Sequence, residues 1–128
     1  MPIAKIEVRR ARTPEEVEAL IEALYLAERE ALEIPEWDHQ IRYIEHKPEH
    51  FAVPLGRSEN FTFVEILLFY PRSIDAKRNL YQATTRRFGA LGIAPIDIVI
   101  ALQERPMENW GGRGLPASEA ELVPRPVL

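Results

Sequence analysis

A repeat constrains the fold more than any other feature. Laid over itself at an offset of 59, the chain sets Ala31, Leu32, Ile34, Asp38, Ile41, Glu45 and Glu49 on Ala90, Leu91, Ile93, Asp97, Ile100, Glu104 and Glu108. Phe51 falls on Trp110, and Pro14 and Ser73, at the starts of two expected helices, are also 59 apart. Self-similarity of this kind marks a duplicated unit. The 128 residues suit one compact domain over 1–128. Its repeats are expected at about 2–47 and 61–105, followed by a loop and tail over 106–128.

Each repeat reads as strand, helix, strand. Residues 2–9 alternate apolar and polar through Ile3, Lys5, Ile6 and Val8, as a short strand does. Thr13, Pro14 and Glu16 form a helix start, with an N-cap, a first-turn proline and the reciprocal acid of a capping box. Val17, Leu20, Ile21, Leu24 and Ala31 then recur at helical spacing. "DHQIRYIEH" is strand-like, and "HKPEHFAVPLGRSEN" is a loop with room for a short hairpin. The pattern restarts with "FTFVEILLFY", apolar on both faces. Ser73 caps a second helix whose inner face includes Leu80, Tyr81, Phe88 and Leu91, and Gly92 stops it. "PIDIVIALQE" closes the unit as a strand.

A strand–helix–strand unit is a right-handed crossover between parallel strands. Two of them predict an α/β, two-layer (α+β) fold: a four-stranded mixed sheet with two helices on one face. The other face would then carry the apolar side chains of "FTFVEILLFY" and "IDIVIAL". Such a face calls for a partner subunit, so an oligomer is expected.

Composition removes several function classes. With no cysteine, a disulfide framework, a thiolate nucleophile and a zinc–thiolate site are excluded, and a reducing, cytoplasmic setting fits. The start lacks a charged segment followed by an apolar one, so no signal peptide is expected. No apolar run approaches the length of a membrane span. A net charge of −4 argues against nucleic acid as a partner. Any anion site must be local and built from a few arginines.

The chain opens "MPIAKIEV", with proline behind the initiator methionine. Proline is tolerated at a strand start. Once Met1 is removed, it also carries a free secondary amine. Together with "IPEWDHQIRYIEHKPE", "YPRSIDAKRNLYQATTRRF" and "NWGGRG", this opening resembles the tautomerase superfamily, the group of 4-oxalocrotonate tautomerase and macrophage migration inhibitory factor. Within it the chain looks most like the malonate semialdehyde decarboxylase branch. The resemblance implies a homotrimer, small carbonyl acids as substrates, and no metal or organic cofactor. It implies that Pro2 is the catalytic amine, that Arg72 holds the substrate carboxylate, and that Asp38 orients or activates water. Trp110 matches an aromatic in the pocket wall. Two positions depart from the decarboxylase pattern. Tyr70 stands where it has a second arginine, and Gly112 where it has an aromatic residue.

These residues suit the chemistry. An amine has an unperturbed pKa near 8, lowered by burial and by a neighbouring cation such as Arg72. A base works best with its pKa near the working pH. Free Pro2 would move the α-proton of a 2-oxo acid while Arg72 pins the carboxylate through paired hydrogen bonds. Tyr70 would offer a donor to the developing enolate if the strand continued through Pro71, since residues two apart share a face. A cationic Pro2, stabilised by Asp38, would instead favour decarboxylation or hydration. A non-catalytic trimeric binding protein is the third reading.

Plainer roles stand beside these. Pro2 reads equally as a strand start, Asp38 as a turn residue like Asp97, Tyr70 as packing, and Trp110 as a packing residue that also lines the pocket. Arg72 precedes a helix N-terminus, where cations are not favoured, which points to a functional reason for it. Arg113 lies in a glycine-rich loop within reach of substrate or a neighbour. Pro48 interrupts "HKPEH", so His46 and His50 do not share a helical face, and with His39 they read as solvated loop residues and no metal site.

Overall fold

The computed structural model describes residues 2–119. Met1 and the "LVPRPVL" end of the expected tail lie outside the described residues. Strand β1 (Pro2–Val8), helix α1 (Pro14–Leu32) and strand β2 (Ile41–Glu45) form the first unit. Strand β3 (Thr62–Phe69), helix α2 (Ile74–Gly89) and strand β4 (Ile98–Arg105) form the second. A small ribbon of β5 (Gly111–Gly112) and β6 (Leu115–Pro116) follows. No hairpin forms in the loop after β2; Pro48–His50 make a 3-10 turn there.

The helix starts obey their caps. Thr13 Oγ1 accepts the Glu16 N–H at 3.2 Å, and Glu16 Oε1 accepts the Thr13 N–H at 3.0 Å. Ser73 Oγ accepts the Ala76 N–H at 3.1 Å. Ser73 is therefore the counterpart of Thr13, and the helix starts repeat at 60 residues rather than 59. Helix α2 also ends earlier than expected, at Gly89. The chain turns through Gly92 at φ +93°, a left-handed conformation that glycine adopts without strain. Leu91 is consequently outside the helix and exposed, whereas Leu32 lies in α1 and is buried.

The sheet order is β2-β1-β3-β4. β1 pairs with β2 in parallel and with β3 in antiparallel, and β3 pairs with β4 in parallel. Two parallel crossovers joined by an antiparallel centre make the mixed sheet. Burial alternates strictly along β1 and β3. Ala4, Ile6, Val8, Val64, Ile66 and Leu68 face a core completed by Leu20 and Leu24 of α1 and Leu80 and Phe88 of α2.

The opposite sheet face is more polar than the sequence suggested. Lys5 pairs with Glu65 across the central strands at 3.2 Å, and Gln103 Nε2 donates to the same carboxylate. Glu7 meets His46 at 2.9 Å. These pairs run between half-buried Ile3, Phe63 and Leu67. Among the described residues no helix is long and apolar enough to cross a membrane.

Candidate functional site

Topology gathers the site at one end of the sheet. β1 and β3 are antiparallel, so Pro2 at the start of β1 lies opposite Leu68 near the end of β3. Leu68 in turn lies opposite Glu104 near the end of β4. Helix α1 must return to this end, because β2 runs parallel to β1 and starts here. The loop after α1 delivers Asp38, and the Ala4 N–H donates to the Gln40 carbonyl at 3.0 Å. Asp38 is 2% exposed and accepts a hydrogen bond from Gln40 Nε2 at 3.2 Å. Its N–H donates to the Pro35 carbonyl, which fixes the turn.

Arg72 arrives from the loop between β3 and α2. Its backbone N–H donates to Glu104 Oε2 at 2.9 Å, and its guanidinium donates to the Leu32 carbonyl at the end of α1 at 3.0 Å. That carbonyl is one of the last in the helix, where a cation is electrostatically welcome. Among the described residues the Arg72 guanidinium forms no ion pair with a carboxylate. Glu104 is spoken for, since Lys77 Nζ makes a short ion pair with it. That hydrogen bond from Lys77 chiefly, and the one from the Arg72 N–H, hold the Glu104 carboxyl below the usual carboxylate range.

Tyr70 and Trp110 occupy the outer edge. The strand does not continue through Pro71: β3 ends at Phe69, and the Tyr70–Pro71 peptide bond is cis. Tyr70 therefore does not share a strand face with Arg72, and its side chain is 63% exposed. The Tyr70 N–H donates to the Arg105 carbonyl at 3.0 Å, and Trp110 Nε1 donates to the same oxygen at 3.3 Å. The Trp110 ring stands edge-on to Phe69 at 5.0 Å. Phe69 alternates with Leu68, so Trp110 packs on the sheet face opposite the Pro2 ring. An open cleft of ≈ 450 Å³ lies between Leu67, Arg105, Asn109 and Trp110. Arg113 sits at φ 54° in the tight turn between β5 and β6, exposed.

One group at this end went unread in the sequence. Glu28 is 1% exposed on the buried face of α1. Its Oε2 has no hydrogen-bond partner. Burial, and then the nearby charge of Asp38, push its carboxyl up to about 8. The helical phase held the signal. Leu20, Leu24 and Leu32 repeat every four residues, and position 28 completes that row. Glu104 was legible in the same way, as the last residue of the row Ile98, Ile100, Leu102 on the helix side of β4.

Pro2, Asp38, Arg72 and Glu104 thus lie at one end of the sheet, with Tyr70 exposed there and Trp110 on the opposite sheet face. With Met1 removed, the Pro2 amine, a buried carboxylate and a guanidinium in no ion pair among the described residues could together bind an anionic carbonyl compound and move a proton on it. Among the described residues no group of three or more histidines and acids is placed to hold a metal ion.

Comparison with known proteins identifies the family. A family model described as "Tautomerase enzyme" matches residues 38–113, more than half of the chain. That span includes Asp38, Arg72 and Trp110. A malonate semialdehyde decarboxylase structure is similar at 27% identity and TM-score 0.81, covering 88% of this chain and 92% of that one. A second malonate semialdehyde decarboxylase, inhibited by 3-bromopropiolate, is similar at 24% identity and TM-score 0.78, covering 85% and 87%. Native fused 4-OT shares the fold at TM-score 0.83 and 15% identity, covering 91% and 97%. The chain belongs to the tautomerase family.

Proposed function

We propose that the protein is a cofactor-independent enzyme that uses the Pro2 amine, freed by removal of Met1, as a general base for keto–enol tautomerisation of small 2-oxo acids. The observation that supports this most is the meeting of Pro2, Asp38 and Arg72 at one sheet end, with the Arg72 cation in no ion pair among the described residues. Arg72 anchors the substrate carboxylate. Pro2 takes the α-proton and returns it to another atom. Asp38 is the accessory acid. Trp110 and Tyr70 bind substrate from the rim. The working unit is a cytoplasmic homotrimer. Solved fused 4-OT proteins are described as trimers, and the half-buried Ile3, Phe63 and Leu67 on the open sheet face suit a subunit contact.

Decarboxylation of malonate semialdehyde is the second reading. A buried carboxylate beside an amine favours the ammonium, and Asp38 is nearly inaccessible at the Pro2 end. A cationic Pro2 would polarise a β-carbonyl and promote loss of carbon dioxide.

The test is ketonisation of phenylenolpyruvate by the parent and by Pro2→Ala, on samples whose intact mass shows Met1 removed. The parent is expected to turn over, and the variant to lose about 100-fold or more. Equal rates overturn the base role. No parental rate, with carbon dioxide released from malonate semialdehyde, selects the second reading. Silence in both assays selects a binding protein.

A further inference from the structure

Glu28 stands where the fold itself wants hydrocarbon. The two helices repeat at 60 residues, so Leu20 corresponds to Leu80, Ala23 to Ala83, and Leu24 to Thr84, all buried. On the same count Glu28 corresponds to Phe88, which is fully buried. One helix therefore closes this layer with an aromatic ring and the other with a carboxyl. Burying a carboxyl without full hydrogen bonding is costly, and Oε2 of Glu28 has no partner. The packing of the fold gives no reason for that cost, because its own twin position does without an acid.

The position does suggest a use. Glu28 lies in the last turns of α1, the part of the helix that returns to Pro2 and Asp38. Of the charged groups near it, Asp38 raises its proton affinity, and Pro2, buried on the helix side of β1, closes the same end of this layer. β3 adds the buried Ile66 and Leu68 to the core at this end. On α2, Lys77 is engaged by Glu104, and Arg86 and Arg87 by Glu30. Arg72 rests on the Leu32 carbonyl.

We propose that Glu28 is a positioning residue that sets the protonation state of the Pro2 amine: nitrogen and carboxyl titrate as a coupled pair over which one proton is distributed. This rests on Pro2 as the reacting base. In one state the amine is free and Glu28 is a neutral acid. In the other the proton has left the carboxyl for the nitrogen, giving an ammonium beside a carboxylate. Neutral Glu28 lets Pro2 stay a base despite the pull of Asp38. Ionised Glu28 adds a second negative charge and holds the amine cationic.

The experiment uses the full chain with Met1 removed, labelled with 15N at proline and 13C at glutamate carboxyls. Glu28 is assigned by the resonance missing in Glu28→Gln. Its carboxyl is expected to titrate near neutrality or above. Ordinary titration below about pH 5 would overturn the proposal. The Pro2 nitrogen midpoint is expected to fall by about half a unit or more in Glu28→Gln, an isostere that cannot ionise. An unmoved midpoint would overturn it equally. Glu28→Met, matching the apolar twin, gives the same reading should the amide variant fail to fold. Neither titration needs turnover. A coupled titration in a protein inert toward 2-oxo acids would sink the tautomerase reading alone. An active enzyme with uncoupled titrations would sink the pairing alone.

Discussion

The Pro2 end of the sheet holds Asp38, the unsatisfied carboxyl of Glu28 and the Arg72 guanidinium, which donates to the Leu32 carbonyl. At the opposite end the counterpart of Asp38, Asp97, is equally buried and accepts hydrogen bonds from both the N–H and the Oγ of Ser58. Pro2 begins β1 where Thr62, whose hydroxyl donates to the Asn60 carbonyl, begins β3. Arg72 precedes one helix cap and Arg12 the other, but Arg12 donates to the Tyr43 hydroxyl at 3.3 Å. Trp110 and Phe51 follow matching 3-10 turns, and Phe51 stacks on His46 at 5.2 Å. Duplication supplied the same parts twice. At the Asp97 end the acid and the strand start are held by local hydrogen bonds, while Arg12 Nη2 stays buried without one. At the Pro2 end Glu28 Oε2 is buried without a hydrogen-bond partner and the Arg72 guanidinium forms no ion pair among the described residues, and that difference sets the two ends apart.

The contrast is easiest to break at the arginines. Arg72→Ala is expected to lower kcat/KM for a 2-oxo acid by about 100-fold, the scale of a charge-assisted contact worth ~3 kcal/mol. Arg12→Ala should stay within about twofold in the same assay. Comparable losses in both would mean that the two ends are functionally alike. The aspartates come next. Asp38→Asn should cost about tenfold or more in kcat with little change in melting temperature. Asp97→Ala should leave kcat intact and cost about 1–3 kcal/mol in urea unfolding, because the Ser58 donors lose their buried acceptor.

Glu28 sharpens the comparison through pH. Its pKa in the fold, about 8, lies above the unfolded value of 4.5. The native state holds the proton more tightly, so this group's contribution is fully present below about pH 4.5 and is lost as pH rises through about 8. The loss should amount to a few kcal/mol, order of magnitude. Glu28→Met should flatten the fall in stability across that window, and an unchanged slope would put the carboxyl in water. The smallest effects belong to the aromatics. Trp110→Ala and Phe51→Ala should each cost about 1–2 kcal/mol of stability, with KM rising only for Trp110→Ala.

Much of this was legible in the chain. Thr13, Pro14 and Glu16 announce α1 because a capping box is a local reaction of neighbouring groups. The strands and their repetition were readable because periodicity is local too. Tyr70 shares a face with Arg72 only if β3 runs on through Pro71, and the strand ends at Phe69. The repeat was read at 59 throughout, yet it runs at 60 through the helices and returns to 59 after the earlier end of α2. A one-residue slip of that kind hides in a short match. It also concealed the correspondence of Glu28 with Phe88.

What the sequence determined by itself is the set of elements, their caps, their duplication and the presence of Pro2, Asp38 and Arg72. Those follow from residue identity and spacing over a few turns. What only the tertiary structure decided is which of them meet. The antiparallel pairing of β1 with β3 brings Pro2 to the ends of β3 and β4, and the return of α1 brings Glu28 and the Leu32 carbonyl to the same place. Desolvation is likewise a property of the assembled core. The sequence names Glu28 as an acid, and only burial between layers gives it reason to keep its proton.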